Sequence, residues 1–251
     1  MKIEVFKTKE ACGLAAADRG ADILKQAIRV RGRASFIVAT GASQFDFIQA
    51  LTKKEEIDWR LTTMYHLDEY IGMGADHPAS FRRYLKERLV DVVHPGLVHF
   101  IQGEAGDPAA ECRRINHIIS QDKIDAAFVG IGENGHLAFN DPPADFDTKV
   151  PYIIVELDDA CRQQQFGEGW FASLEEVPNT AISMSIHQIM KSETIICTVP
   201  DKRKAQAVKD CFEGEISPQH PASILRKHPG AFVYLDEAAA SLLTSGGEDS
   251  P

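Results

Sequence analysis

At 251 residues, 44% hydrophobic and 25% charged, the chain has the make-up of a globular protein able to bury its own core without disulfide staples. A formal net charge of −10 argues against nucleic acid or an anionic membrane as partner, and it leaves any bound phosphate to be held by local donors. No apolar run approaches the roughly 20 residues of a membrane span, and Met1–Lys9 carries charge through any would-be signal-peptide core, so a cytoplasmic location is expected.

Ala34-Ser-Phe-Ile-Val-Ala39 reads as a buried strand ending at Thr40-Gly41, after which Phe45, Phe47, Ile48 and Leu51 recur at helical spacing. A short strand around Thr62–His66, a helix from Ser80 to Leu89, a strand at Leu97–Ile101 and a helix through Ala109–Ser120 follow. Ile124-Asp-Ala-Ala-Phe-Val-Gly130 is a third buried strand that ends on glycine. Beyond it the pattern predicts strands at Tyr152–Glu156 and Glu193–Val199 with a helix near Ile186–Met190 between them. A helix over Lys202–Lys209, a last strand at Gly230–Leu235 and a C-terminal helix complete the series.

Strands separated by helical segments imply βαβ units. The expected fold class is α/β, Rossmann-like, with a mostly parallel sheet and helices on both faces. Without an internal repeat or a Pro/Gly-rich linker, residues 1–243 are expected to form one domain, and 244–251 a disordered tail. In such sheets ligands bind beyond the carboxyl ends of the strands, which directs attention to the segments after Ala39, His66 and Val129.

The first of these, Ala39-Thr-Gly-Ala-Ser-Gln44, places a glycine and small residues at the opening of a helix, where backbone N–H groups can hold an anion. A plain strand-to-helix turn with Ser43 as N-cap is the competing reading. The second, Asp68-Glu69-Tyr70, offers adjacent carboxylates. Side chains one position apart diverge, so only one of them can face a ligand; the alternative is a solvated acidic turn.

The third segment is the richest. Gly130, Gly132 and Gly135 frame His136, and Asp141 follows five residues later. An imidazole moves protons near neutral pH, and a carboxylate on its other nitrogen fixes its tautomer. The remaining eight histidines form no metal-ligand spacing, and the five cysteines are scattered without a Cys-x-x-Cys pair, so no metal is expected. Lys204 could reach a phosphate or sit with Lys202 and Arg203 on a solvated helix start. Trp170 and Phe171 read as core or pocket wall.

Together these segments resemble the glucosamine-6-phosphate deaminase (isomerase) family. The resemblance rests on Leu67-Asp-Glu-Tyr-x-Gly72 with His77-Pro-x-Ser80, and on Gly130-Ile-Gly-x-Asn-Gly-His-x-Ala-Phe-Asn140. The related 6-phosphogluconolactonases share the glycine-framed histidine but usually continue differently from Ala138-Phe139-Asn140. The resemblance implies a Rossmann-like fold, a sugar phosphate as partner, no cofactor, and conversion of glucosamine 6-phosphate and water to fructose 6-phosphate and ammonia. It implies Asp68 as the proton shuttle between C2 and C1, His136 in ring opening, and Asp141 where the family usually has a glutamate orienting the histidine. Asn134 falls where members carry aspartate or asparagine. Thr40, Gly41, Ala42, Ser43 and Gly135 match substrate-binding positions, and Lys204 matches a phosphate lysine.

The chain departs from the pattern at two places. Asp141 is one methylene shorter than the usual glutamate, so its bond to His136 calls for a closer backbone or a water. The family's phosphate arginine before a Phe-Phe pair has Gly or Glu in its place within Cys161–Phe171, with Arg162 as a substitute from one helical turn earlier. The readings left open are a deaminase for glucosamine 6-phosphate or its galactosamine counterpart, a lactonase that would not need Asp68, and a non-catalytic sugar-phosphate sensor. The family includes monomers and larger assemblies, so a homo-oligomer stays open.

Overall fold

The computed structural model describes residues 1–244. In chain order it contains β1 (Lys2–Phe6), α1 (Lys9–Arg31), β2 (Ala34–Val38), α2 (Phe45–Leu51), β3 (Thr62–His66) and β4 (Asp68–Tyr70). Then come α3 (Phe81–Leu85), prolonged by a π-helical turn (Lys86–Val90) and α4 (Asp91–Val93), followed by β5 (Leu97–His99), α5 (Pro108–Ile119) and β6 (Ala126–Val129). The second half holds β7 (Tyr152–Glu156), α6 (Asp159–Gly167), β8 (Thr180–Met184), α7 (Ile186–Met190), β9 (Thr194–Val199), α8 (Ala205–Glu213) and β10 (Ala231–Asp236).

Seven strands form one sheet in the order β1-β10-β9-β6-β2-β3-β5, with parallel pairing throughout. Every residue of β2, β3 and β6 is buried, as expected of strands covered on both faces. Alternate residues feed two cores. Phe36, Val38, Ala126 and Phe128 pack with α1 and α2, whereas Ile37, Ala127, Val129 and Cys197 pack with α5, α7 and α8. The expected fold class therefore holds. Strand order turns around between β2 and β6, and at the carboxyl ends of such neighbours a crevice opens.

Four expectations need correction. Tyr152–Glu156 does not join the main sheet. It pairs antiparallel with β8, which pairs with β4 in a separate sheet ordered β4-β8-β7. Its outward residues, such as half-exposed Ile154, mark it as a one-sided strand rather than a doubly covered one. Asp68-Glu69-Tyr70 is accordingly a short buried strand, not a loop. The helix expected over Lys202–Lys209 is a 3₁₀ turn at Lys202–Lys204 followed by α8. After β10 the described chain runs through turns rather than a helix, with Ala239 N–H donating to the Asp236 carboxylate. There the alanines of 238–240 are followed within a few residues by Thr-Ser-Gly-Gly, too short a run to sustain a helix.

Thr244 is tied to Glu213 through its backbone N–H and hydroxyl; the rest of the expected tail lies outside the described residues. No helix among the described residues is long and apolar enough to cross a membrane.

Candidate active site

Four chain segments converge at the carboxyl ends of β2, β3, β6 and β9. They bring Thr40, Gly41, Ser43, Asp68, His136 and Lys204 to the wall of one cleft. The turn after β2 depends on Gly41, whose φ of 99° lies in the region that only glycine adopts freely. Ser43 does not cap a helix here; it lies inside a 3₁₀ turn, and the Gln44 amide donates to its hydroxyl at 3.2 Å.

β4 sends its two carboxylates opposite ways, as a pleated strand must. Glu69, fully buried, accepts from the Ser80 hydroxyl at 2.9 Å and from the N–H groups of Tyr70, Phe81 and Arg82. It is spent on anchoring the loop into α3. Asp68 faces the cleft instead. Burial, reinforced by the charge of Glu69, pushes its carboxyl up to about 8. A carboxyl so placed is a far stronger base than an exposed one.

The loop after β6 wraps around His136. A side chain at Gly132 would overlap the imidazole ring, so the ring's seat exists only because residue 132 lacks a Cβ. Gly132 N–H donates to His136 O at 2.9 Å, and His136 N–H donates to the Asn134 side-chain oxygen at 3.1 Å. Nδ1 of His136 lies 2.9 Å from Asp141 Oδ1, off the line of an ideal ring N–H bond. The shorter carboxylate thus reaches the ring directly because the backbone comes close, and no bridging water is required. Burial raises the Asp141 carboxyl. The close ring and charge of His136, with donors from Asn134 and the Asp158 N–H, outweigh this and hold it below its ordinary range.

Asn134, Asp141, Gly135 and Ala42 do not line the cleft. Asn134 and Asp141 act from behind His136. Gly135 packs toward Cys211 and its carbonyl accepts from Ala222 N–H at 2.9 Å. Cys161 joins His136 and Asp141 in a group whose ligand atoms lie within 4.8 Å of one another. Burial pushes its thiol far up, and the Asp141 oxygens accept from the Asn134 amide and the Asp158 N–H. That donor set fits a hydrogen-bonded network rather than a metal centre.

Of the three cations at the β9 turn, Lys204 is the buried one, while Lys202 and Arg203 remain exposed. Burial lowers Lys204 to about 8, against the pull of Glu133 and Glu168. Arg203 is paired with Glu133 at 3.3 Å and Asp201 at 3.5 Å. Arg162, expected to substitute for the missing phosphate arginine, does not enter the cleft. Its guanidinium donates to the carbonyls of Leu174 and Val177 and so holds the segment after α6. Glu168 lines the cleft instead, with Gln164, Gln165 and Phe81. Only the gap left by the arginine pointed to Glu168; the other three carried no sequence signal.

A family model described as glucosamine-6-phosphate isomerases/6-phosphogluconolactonase matches residues 7–234. The chain belongs to that family. A glucosamine-6-phosphate deaminase of Oenococcus oeni is 36% identical over 244 residues, covering 97% of this chain and 99% of that protein. One from an Exiguobacterium species is 38% identical over 215 residues, or 85% of this chain and 83% of its own. Among solved structures, a monomeric glucosamine-6-phosphate deaminase superposes with a TM-score of 0.89 at 32% identity, over 96% of this chain and all of that one. A 6-phosphogluconolactonase from Trypanosoma brucei, 16% identical with a TM-score of 0.79 over 97% of this chain and 98% of its own, shares the fold.

Proposed function

We propose that this family member is an isomerising deaminase of a hexosamine 6-phosphate, converting glucosamine 6-phosphate and water to fructose 6-phosphate and ammonia. The observation that carries the reading is the convergence of a buried, strongly basic carboxyl at Asp68 with the Asp141-backed imidazole of His136 on one cleft. Thr40, Gly41 and Ser43 of the phosphate turn and the buried Lys204 lie on the same cleft. The names of the relatives at 32–38% identity point the same way.

In this reading Thr40–Ser43 and Lys204 hold the phosphate and so place the sugar. His136, oriented by Asp141 and the Asn134-pinned backbone, exchanges a proton with the ring oxygen as the ring opens. Asp68, ionised, takes the proton from C2 and returns it to C1, leaving an imine at C2. Water adds to that carbon, ammonia leaves, and the C2 carbonyl of fructose 6-phosphate remains. A lactonase needs the histidine and the phosphate turn but has no use for the carboxyl of Asp68. A sensor has no use for either proton carrier.

The test is ammonia release from glucosamine 6-phosphate, with galactosamine 6-phosphate alongside because no side chain is assigned to the C4 hydroxyl. Ammonia with stoichiometric ketose phosphate is the expected result. Absence of ammonia from both sugars at high enzyme concentration refutes the deaminase reading.

A further inference from the structure

The phosphate end of the cleft contains a carboxylate. Glu168 caps α6, its N–H donating to Gln164 O at 3.1 Å. Its Oε1 and Oε2 stand 3.8 and 3.9 Å from where a Cβ on Gly41 would lie, over the very turn that offers backbone N–H groups to an anion. Lys204 lines the same cleft. Among the described residues, its ammonium lies within ion-pair distance of no carboxylate, so Glu168 and Lys204 face the space without closing on each other. Arg203, His136 and Gln164 also act on Glu168. On its other side an adjoining cavity is lined by Tyr84, Arg88, and the mutually paired Arg83 and Glu87. Burial raises the Glu168 carboxyl, with Lys204 and Arg203 opposing.

A phosphomonoester seated on the turn would meet this carboxylate. The ester's second proton leaves near pH 6, so keeping it at pH 7 weakens binding by only about tenfold. Two like charges forced together in a shared site separate their ionisations by about three powers of ten. Retaining a proton is therefore the lesser cost. We infer that Glu168 is the specificity-determining residue of the phosphate subsite, admitting the ester only with one extra proton shared between carboxyl and phosphate. The inference rests on the proposed placement of the phosphate at Thr40–Ser43 and Lys204. No covalent bond changes; one proton enters from solvent with the ligand.

The sign follows from linkage. A complex holding one more proton than its separated parts loses affinity about tenfold per pH unit once both groups are ionised in the free state. The experiment is calorimetric titration of the full chain with fructose 6-phosphate at pH 7.0, in buffers of differing ionisation enthalpy, for the parent and Glu168→Gln. At that pH Lys204 keeps its charge. The parent should take up more protons per ligand than the variant, by at most one, and the variant should bind up to about tenfold tighter. Equal proton uptake in the two proteins overturns the inference, and so does binding by Glu168→Gln alone, which would make Glu168 an excluder of phosphate. Failure of either protein to bind also overturns it. The ammonia assay separates the two readings, because ammonia release with equal proton uptake rejects the shared proton and keeps the deaminase.

Discussion

Replacing Asp68 with asparagine should remove the shuttle and strengthen the fold at the same time. The carboxyl is almost inaccessible, and no protein donor among the described residues bonds to it. Burial first, and the neighbouring Glu69 second, move it from the ordinary 3.8 up to about 8. Because the folded-state value is raised, the native chain binds more protons than the unfolded chain across this window. The stabilising contribution is full below pH 4, falls as pH rises, and levels off above about 8. Each tenfold change is worth about 1.4 kcal/mol, which sets a ceiling of about 5 kcal/mol on the cost of carrying the carboxyl at pH 8. Asparagine keeps the shape without the charge. Asp68→Asn should therefore be more stable than the parent by a few kcal/mol at pH 8 and by about 1 kcal/mol at pH 5. Urea denaturation at pH 5, 6.5 and 8 measures the difference, and exchange of the C2 hydrogen of glucosamine 6-phosphate in deuterated water measures the shuttle. A stability difference that stays constant from pH 5 to 8 refutes the electrostatic argument. Exchange that survives in the variant refutes Asp68 as the base.

Three further substitutions probe the rest of the cleft. Lys204→Ala should raise KM for the sugar phosphate about 10- to 100-fold with little change in kcat below pH 8, where the ammonium is charged; an unchanged KM takes Lys204 out of the phosphate subsite. Gly132→Ala drives a methyl into the His136 ring and should lower kcat by about 100-fold or more while the sheet stays folded, as read by steady-state ammonia release and far-ultraviolet dichroism. Asp141→Asn should lower kcat by about 10- to 1000-fold through loss of the oriented imidazole. A full-rate Asp141→Asn enzyme would show that the ring needs no carboxylate behind it.

The parts legible in the sequence are those written in neighbouring residues. Ala34–Val38 and Ala126–Val129 announce central strands because burial on both faces demands an unbroken apolar run. His136 stands out because its glycine frame is local. α1 is silent for a physical reason: apart from Leu24, its buried stripe is Cys12, Gly13, Ala16, Ala17, Gly20, Ala21 and Ala27, small residues that carry little hydrophobic contrast, with Gly13 closely approached by α2. The second sheet is hidden by distance. β4 is three residues long, and its partner β8 lies more than a hundred residues away. Glu168 shows the limit most clearly, since it faces Gly41 across the cleft, a relation no spacing encodes.

That hidden sheet sets the distance between Asp68 and His136. Asp68 is paired in register with Ser183 of β8. The Ser183 hydroxyl accepts the N–H of Phe139 at 3.0 Å, and the Asn140 amide donates to Met184 O at 2.8 Å. One strand therefore clamps the segment carrying Asp68 and the loop carrying His136, and each attachment is buried. Glu69 completes the clamp from the other face of β4, fixing the strand to the start of α3 through the Ser80 hydroxyl and three backbone N–H groups. With β4 held on both sides, the charge on Asp68 has no inexpensive way to turn toward water. Rigidity imposed by residues off the cleft is thus what keeps the Asp68 carboxyl raised, as the proposed abstraction of a proton from carbon requires.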